Sequence, residues 1–202
     1  SRSAELERLA LDAQLRSLQA QIEPHFLFNT LANVVSLIDG APDKARRMLE
    51  RLIDLLRASL AASRSERTTL GQECALVGAY LDILGIRMGE RLRYSVDLPA
   101  ELAGATVPPL SLQPLVENAI RHGLEPKLAG GTVRICARVV DGELQVDVED
   151  DGLGFDDRKG LGVGLANLRE RLGAVYGGRA RVAISDRVPG TRVRLTLPLE
   201  DA

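Results

Sequence analysis

The chain has 202 residues, 45% of them hydrophobic, with a formal charge of −2 and a pI near 5.8. That is enough apolar material for a real core, and the length suits two compact units, one helical and one mixed, rather than a single large one. The charge balance removes any general electrostatic case for a nucleic acid or a membrane surface, so no nucleic-acid partner is expected.

In chain order, the first signal is helical. Leu11, Leu15, Leu18 and Ile22 follow a 4-3-4 spacing, the stripe of a helix that packs along a partner helix. Within Gln21-Ile22-Glu23-Pro24-His25-Phe26-Leu27-Phe28-Asn29 the stripe moves. At about 100° per residue, Leu27, Leu31, Val34 and Ile38 fall together on nearly the opposite side. His25, Asn29, Ala32, Asn33 and Ser36 gather on one narrow polar face. Pro24 removes a backbone donor and clashes one turn back, which predicts a kink or a change of packing partner there. Gly40-Ala41-Pro42-Asp43 then turns the chain into a second helix whose apolar set is Ala45, Met48, Leu49, Leu52, Ile53, Leu55 and Leu56. A hairpin this thin cannot bury both faces alone, and dimerisation into a four-helix bundle is the expected solution.

Ser63 to Thr69 is polar and reads as a linker and hinge between residues 1–65 and 66–202. A third helix, about Leu70 to Met88, leads into strands at Leu92–Leu98, Val133–Val140, Leu144–Glu149, Ala180–Ser185 and Val193–Leu197. Helices are expected at Leu110–His122 and Val163–Tyr176. Asp141-Gly142 joins two of the strands as an antiparallel hairpin. The second unit is therefore an α/β sandwich with one helical layer, and the whole chain is α followed by α/β.

Cys74 and Cys136 form no C-x-x-C and no Cys/His cluster, so they read as free thiols of a reducing compartment. No run of about 18 apolar residues is present, so the sequence reads as soluble. It opens inside a helical pattern without a signal peptide, which points to a piece of something longer.

Chemistry concentrates in three places. Leu115-Val116-Glu117-Asn118-Ala119-Ile120-Arg121-His122-Gly123 sets Asn118 and His122 one turn apart on a helix face, with Arg121 beside them. An amide oxygen with cationic or imidazole donors nearby suits Mg²⁺ and nucleotide phosphates. Val148-Glu149-Asp150-Asp151-Gly152-Leu153-Gly154-Phe155 ends a strand with a carboxylate and two glycines, where a ligand can approach the backbone and donate an amine hydrogen to Asp150. Gly160-Leu161-Gly162-Val163-Gly164-Leu165 runs into a helix whose N–H groups can face phosphate oxygens. Any one of these has an ordinary turn or a solvated helix as its alternative, but their order along one chain points to a nucleotide site.

In that order, the segments resemble the motifs of a known ATP-binding fold, the GHKL or Bergerat fold shared by histidine kinases, DNA gyrase, Hsp90 and MutL. Glu117-Asn118-Ala119 is similar to its N box, and Asp150-x-Gly152-x-Gly154 to its first glycine box. Gly162-x-Gly164-Leu165 is similar to the second, and Gly190-Thr191 to the closing element. Pro24-His25-Phe26-Leu27-Phe28-Asn29 resembles the phosphoacceptor region of LytS/YehU-type sensor histidine kinases. The resemblance implies a homodimeric protein histidine kinase of a bacterial two-component system, with His25 as phosphoacceptor, Asn118 as Mg²⁺ ligand and Asp150 as partner of the adenine amino group. Gly152, Gly154, Gly162 and Gly164 would line ATP and its lid, with Arg121, His122 and Leu165 nearby and Thr191 close to adenine. It further implies phosphotransfer to an aspartate of a response regulator, of LytTR type. A missing N-terminal sensor would signal through the incoming helix, with the present fragment cytoplasmic and the full-length protein anchored in the inner membrane.

The residues themselves agree on the nucleophile. A neutral imidazole already carries a lone pair, so His25 needs exposure and aim, which its polar face and the flanking Gln21 and Asn29 provide. One departure stands out. Better-known histidine kinases carry an acidic residue directly after the phosphoacceptor, where this chain has Phe26, leaving Glu23 and Glu117 as candidate orienting carboxylates. Asn29, one turn after His25, is placed to hold a water for the reverse dephosphorylation. Two other classes compete: a clamp-type ATP hydrolase and a non-catalytic scaffold regulated by nucleotide. The hydrolases carry a water-activating glutamate one turn before the metal-binding asparagine, where this chain has Pro114.

Overall fold

The computed structural model describes Glu5, residues 24–155 and residues 161–200. The run from Leu11 to Ile22, with Gln21 and Glu23, lies outside these residues, as does any bend before Pro24. Three helices come first: α1 is Pro24–Leu37, α2 is Pro42–Ser63 and α3 is Leu70–Met88. Pro42 occupies the first turn of α2, where its missing N–H costs nothing, and Asp43 beside it favours the positive end of the helix.

Helix α1 is three-sided. Phe26, Thr30 and Val34 are buried, with Leu27 and Leu37 packed beside them. The single stripe of Leu27, Leu31, Val34 and Ile38 expected from the sequence is divided. Leu31 and Ile38 instead join Phe28 and Val35 on a second apolar face, whose members are 40% to 71% exposed. The cause is packing, because α1 meets α2 and α3 along one side only, and Phe26 takes the place nearest α3. Its ring lies 4.8 Å from that of Tyr80, tilted by 43°. On α2 the same division holds: Ala45, Met48, Leu52, Leu55 and Ser59 are buried, whereas Leu49 and Ile53 remain 39% and 41% exposed.

The polar link is shorter than its composition implies. Ser63 still belongs to α2, and Thr68–Thr69 form a short strand, β1, paired antiparallel with β3, Thr106–Val107. Thr69 also caps α3: its hydroxyl accepts from the Gln72 N–H and its own N–H donates to the Gln72 side chain, both at 3.2 Å. The hinge expected over Ser63–Thr69 thus narrows to residues 64–67 and is tied at both ends.

The main sheet has five strands in the order β2-β4-β5-β7-β6. They are β2 Leu92–Asp97, β4 Gly131–Val140, β5 Glu143–Asp150, β6 Arg181–Asp186 and β7 Thr191–Pro198. β2 runs parallel to β4, and the other pairings are antiparallel. Asp141 and Gly142 turn the β4–β5 hairpin with φ of 52° and 77°, the backbone an Asp-Gly turn supplies. Alternation then sorts β5: Leu144, Val146 and Val148 enter the core under the helices, and burial of each contributes roughly 1.5–3 kcal/mol. On the other face, Asp147 is held by Arg138 and Arg194, and Glu149 by Arg187 and Arg192.

The helical layer consists of α3, α4 and α5. α5 is Val163–Tyr176, as expected, but the helix expected over Leu110–His122 differs. Its α-helical part, α4, spans only Gln113–Asn118 and continues as one wider π-turn, Ala119–Leu124. Its start is delayed because the N–H groups of Leu110, Ser111 and Leu112 donate to the Glu73 carboxylate at 2.7, 2.9 and 3.1 Å. Leu110 takes a φ of 57° to allow this. Arg171 of α5 closes the same loop from outside, donating to the carbonyls of Pro109 and Leu110 at 2.9 and 2.8 Å. Burial pushes the Glu73 carboxyl up, and the three N–H groups and Arg171 pull it back.

Removing that carboxylate strands three buried donors. Glu73→Ala is expected to destabilise the fold by about 3 kcal/mol or more, read from urea unfolding, with Glu73→Gln intermediate. An unchanged midpoint for Glu73→Ala would refute this role.

Candidate functional site

The residues expected to be chemical fall into two clefts and one buried strand end. The first cleft, about 470 Å³ in volume, is lined by His25, Asn29, Ala32, Asn33 and Ser36, together with Arg87 and Glu125. The polar face read from the sequence is thus one wall. The opposite wall comes from the last turn of α3 and from the residue after the π-turn. His25 is exposed, and the Asn29 amide nitrogen lies 3.3 Å from its Nδ1 and 3.4 Å from its Nε2, beside the ring. Arg87 Nη2 donates to Glu125 Oε1 at 2.6 Å. Neither residue was singled out from the sequence, because nothing local to Arg87 or Glu125 marks them; only the fold brings them opposite His25.

Phe26 faces the other way, into the core. The position that is acidic in better-known kinases is thus spent on packing against Tyr80.

The second cleft, about 100 Å³, is lined by Pro114, Glu117, Asn118, Arg121, His122, Gly162, Val163, Gly164 and Leu165. It joins α4 and its π-turn to the start of α5. Gly162 precedes the first turn of α5 and no side chain caps that end, so the leading N–H groups of the helix face the cleft. Gln113 Nε2 donates to Glu117 Oε1 at 3.1 Å, and burial raises the Glu117 carboxyl while that hydrogen bond lowers it. Gln113 Oε1 is buried without a hydrogen-bond partner among the described residues. Glu117 therefore lines this cleft and not the one that holds His25.

Asp150, Gly152, Gly154 and Thr191 form the third part. Asp150 and Thr191 are opposite one another in the β5–β7 register, and both are buried. Asp150 Oδ1 accepts from the Gly152 N–H at 2.9 Å. Burial pushes the Asp150 carboxyl up to about 6, partly offset by that N–H. The carboxylate is wedged against glycine: a Cβ at Gly123 would lie 2.5 Å from Asp150 Oδ1, and one at Gly152 would lie 2.2 Å from the Gly123 carbonyl oxygen. Only two residues without side chains let the π-turn and the strand end meet. Asp151, next in sequence, plays a different part. It accepts from the Thr132 N–H at 2.7 Å through its side chain and from Lys127 Nζ at 2.8 Å through its carbonyl, which ties down the loop before β4.

Comparison with known proteins now bears on this arrangement. The histidine kinase family model matches residues 13–92, and the model for histidine kinase-, DNA gyrase B- and HSP90-like ATPases matches residues 110–201. The sensor histidine kinase YesM of Bacillus subtilis is 36% identical over 203 residues, covering 97% of this chain and 35% of that protein. The sensor protein LytS of Oceanobacillus iheyensis is 32% identical over 208 residues, covering 96% of this chain and 36% of its own length. The chain thus spans about a third of the length of these relatives. The histidine kinase domain of the blue-light activated kinase EL346 from Erythrobacter litoralis superposes with a TM-score of 0.55 at 22% identity, over 95% of this chain and 93% of that one, so it shares the fold. Among the described residues no helix is long and apolar enough to cross a membrane. With a histidine kinase model over its helices, an ATPase model over its sheet and YesM and LytS along nearly all its length, the chain belongs to the sensor histidine kinase family of the LytS and YesM type.

Proposed function

We propose that this chain is the kinase core of a two-component sensor, which phosphorylates itself on His25 from ATP and passes the phosphoryl group to an aspartate of a response regulator. The observation that carries the reading is the pairing of an exposed histidine beside Asn29 with a separate cleft that joins Asn118 to the glycine-bounded start of α5. Residues 1–65 form the dimerisation and phosphotransfer unit and residues 66–202 the ATP-binding unit. Asp150 takes the adenine amino group, with Thr191, Gly152 and Gly154 around the base. Gly162, Gly164, Leu165, Arg121 and His122 surround the phosphates.

Asn118 fits a magnesium ion. It offers one hard oxygen, and no cluster of three or more His, Cys, Asp or Glu among the described residues would hold a metal alone. That donor set suits an ion completing its shell with phosphate oxygens and water. When bound, Mg²⁺ draws charge from the phosphates.

The His25 nitrogen that holds the lone pair attacks the γ-phosphorus. The N–P bond forms as the bond to the β,γ-bridging oxygen breaks, and ADP leaves with that electron pair. The N–H on the other ring nitrogen then gives its proton to water. In the second step the regulator's carboxylate oxygen takes the phosphorus, the N–P bond breaks, and the imidazole regains a proton. Because His25 and Asn118 line separate clefts, the first step needs movement of the ATP-binding unit toward α1, within one protomer or between two. The regulator is of LytTR type. A sensor region anchored in the bacterial inner membrane precedes the chain and acts through the segment that leads into α1.

The exposed apolar faces of α1 and α2 support a homodimer through the hairpin, closing a four-helix bundle. Phe28, Val35 and Ile38 at 71%, 67% and 52% exposure have no other cover among the described residues.

A clamp-type hydrolase is disfavoured by Pro114, which lines the phosphate cleft where such an enzyme needs a glutamate. A nucleotide-regulated scaffold differs from a kinase in taking no label from ATP.

Incubation with γ-labelled ATP and Mg²⁺ should place an acid-labile, alkali-stable label on the wild type and none on His25→Gln, with ATP binding unchanged in both. Label persisting on His25→Gln would sink the assignment. Asp150 should also make nucleotide binding sensitive to pH. Its carboxyl is neutral below about 6 and then accepts the adenine amine poorly, so the Kd for ATP should rise as pH falls through that window. Asp150→Asn should bind weakly at every pH; a flat wild-type profile between pH 5 and 7 would contradict the assignment. Val35→Glu should convert a dimer into a monomer in sedimentation without changing helical content, whereas an unaltered sedimentation coefficient would exclude the α1 seam.

A further inference from the structure

The cleft in front of His25 holds one ion pair that the steps above do not use. Arg87 lies in the last turn of α3, and its side chain is only 20% exposed. It is therefore held in place by its packed stem, not swinging in solvent. Its guanidinium donates to Glu125 at 2.6 Å, yet an arginine has five N–H donors in a planar fork, and the recorded bond uses one of its nitrogens. Besides His25, the remaining described lining carries no ionisable side chain: Asn29, Ala32, Asn33 and Ser36. Arg87 is thus the one permanent cation among the described residues that line the space into which His25 projects.

Phosphorylation of His25 changes the charge of that space. The ring gains a group of nearly two negative charges with three strong acceptor oxygens, in a cleft whose other ionised side chain is the Glu125 carboxylate. Left alone, the two anions repel. A guanidinium fork between them can serve both, and phosphate oxygens match its geometry in pairs.

We propose that Arg87 is a positioning residue for the phosphorylated state: it receives the phosphoryl group on His25, sharing or exchanging its contact with Glu125. The inference rests on His25 as phosphoacceptor. Glu125 acts as the resting partner that keeps the guanidinium aimed into the cleft before phosphorylation. The same exchange loosens a tie between two elements. Arg87 ends α3, and Glu125 follows the π-turn that carries Arg121 and His122. Formation of phosphohistidine therefore weakens a strap between the helical layer near His25 and the helix that lines the phosphate cleft, and it does so after ATP has been used.

The test is thermodynamic. The 202-residue chain is labelled on His25 with γ-labelled ATP, then titrated with ADP to find the ATP/ADP ratio at which half the label returns to nucleotide. Arg87→Ala should require a ratio about tenfold higher, Arg87→Lys should recover part of the loss, and Glu125→Gln should leave the ratio unchanged or lower it. Affinity for a non-hydrolysable ATP analogue should be the same in all four proteins, which separates the effect from damage to the nucleotide site. In ³¹P spectra the phosphohistidine resonance should move in Arg87→Ala and stay in Glu125→Gln.

An unchanged ratio in Arg87→Ala overturns the inference. So do equal shifts in the same direction for Arg87→Ala and Glu125→Gln, which is what a purely structural ion pair gives. Absence of label on wild-type His25 overturns the phosphoacceptor reading and this inference with it, whereas normal labelling with an inert Arg87 overturns this inference alone.

Discussion

The rest of the molecule depends on a carboxylate that should be unwelcome where it is. Glu73 is 1% exposed, on the face of α3 that meets the ATPase-like layer, and it survives there by accepting three backbone N–H groups from Leu110 to Leu112. A buried charge is costly unless hydrogen-bonded, and this one substitutes for the missing first turn of α4. One side chain thereby sets where α4 begins, and so the height at which Glu117 and Asn118 stand. Because Tyr80, two turns further along the same side of α3, packs against Phe26, the same helix fixes both the hairpin and the asparagine. Arg171 extends the arrangement to α5, whose start lines the cleft beside Asn118.

The buried end of β5 follows a different rule, close approach without side chains. Gly123 and Gly152 touch backbone to backbone, and Asp150 is pressed into the gap they leave. That burial raises its carboxyl to about 6, so the group is ionised at neutral pH but not comfortably so. The site is thus built slightly strained in electrostatic terms.

Much of this was legible in the sequence, for identifiable reasons. Strands β2 and β4 to β7 and helix α5 have strong local signals: alternation, an Asp-Gly turn, and a glycine pair running into an amphipathic segment. The polar wall of the His25 cleft followed from helical geometry alone, and all five of its residues line one cavity. Where the reading departed, a distant partner was responsible. Phe26 is nearest Tyr80, more than fifty residues away, so no periodicity within α1 could tell the buried apolar face from the exposed one. The same holds for Glu73, whose partners lie near residue 111, and for Arg87 and Glu125. Glycines in the ATP-site boxes announce themselves by type, whereas Gly123 looks ordinary until Asp150 is seen beside it.

Helix α1 has no neutral side. Core contacts, an uncovered hydrophobic strip and the histidine wall divide its circumference into three sectors, each roughly 120° wide at 100° per residue. Torque along its axis is therefore the input to which it is most sensitive. A twist of about one residue's arc would carry a hydrophobic side chain toward where the imidazole stands and pull Phe26 off Tyr80. A sliding displacement of the same size would leave every sector pointing where it was.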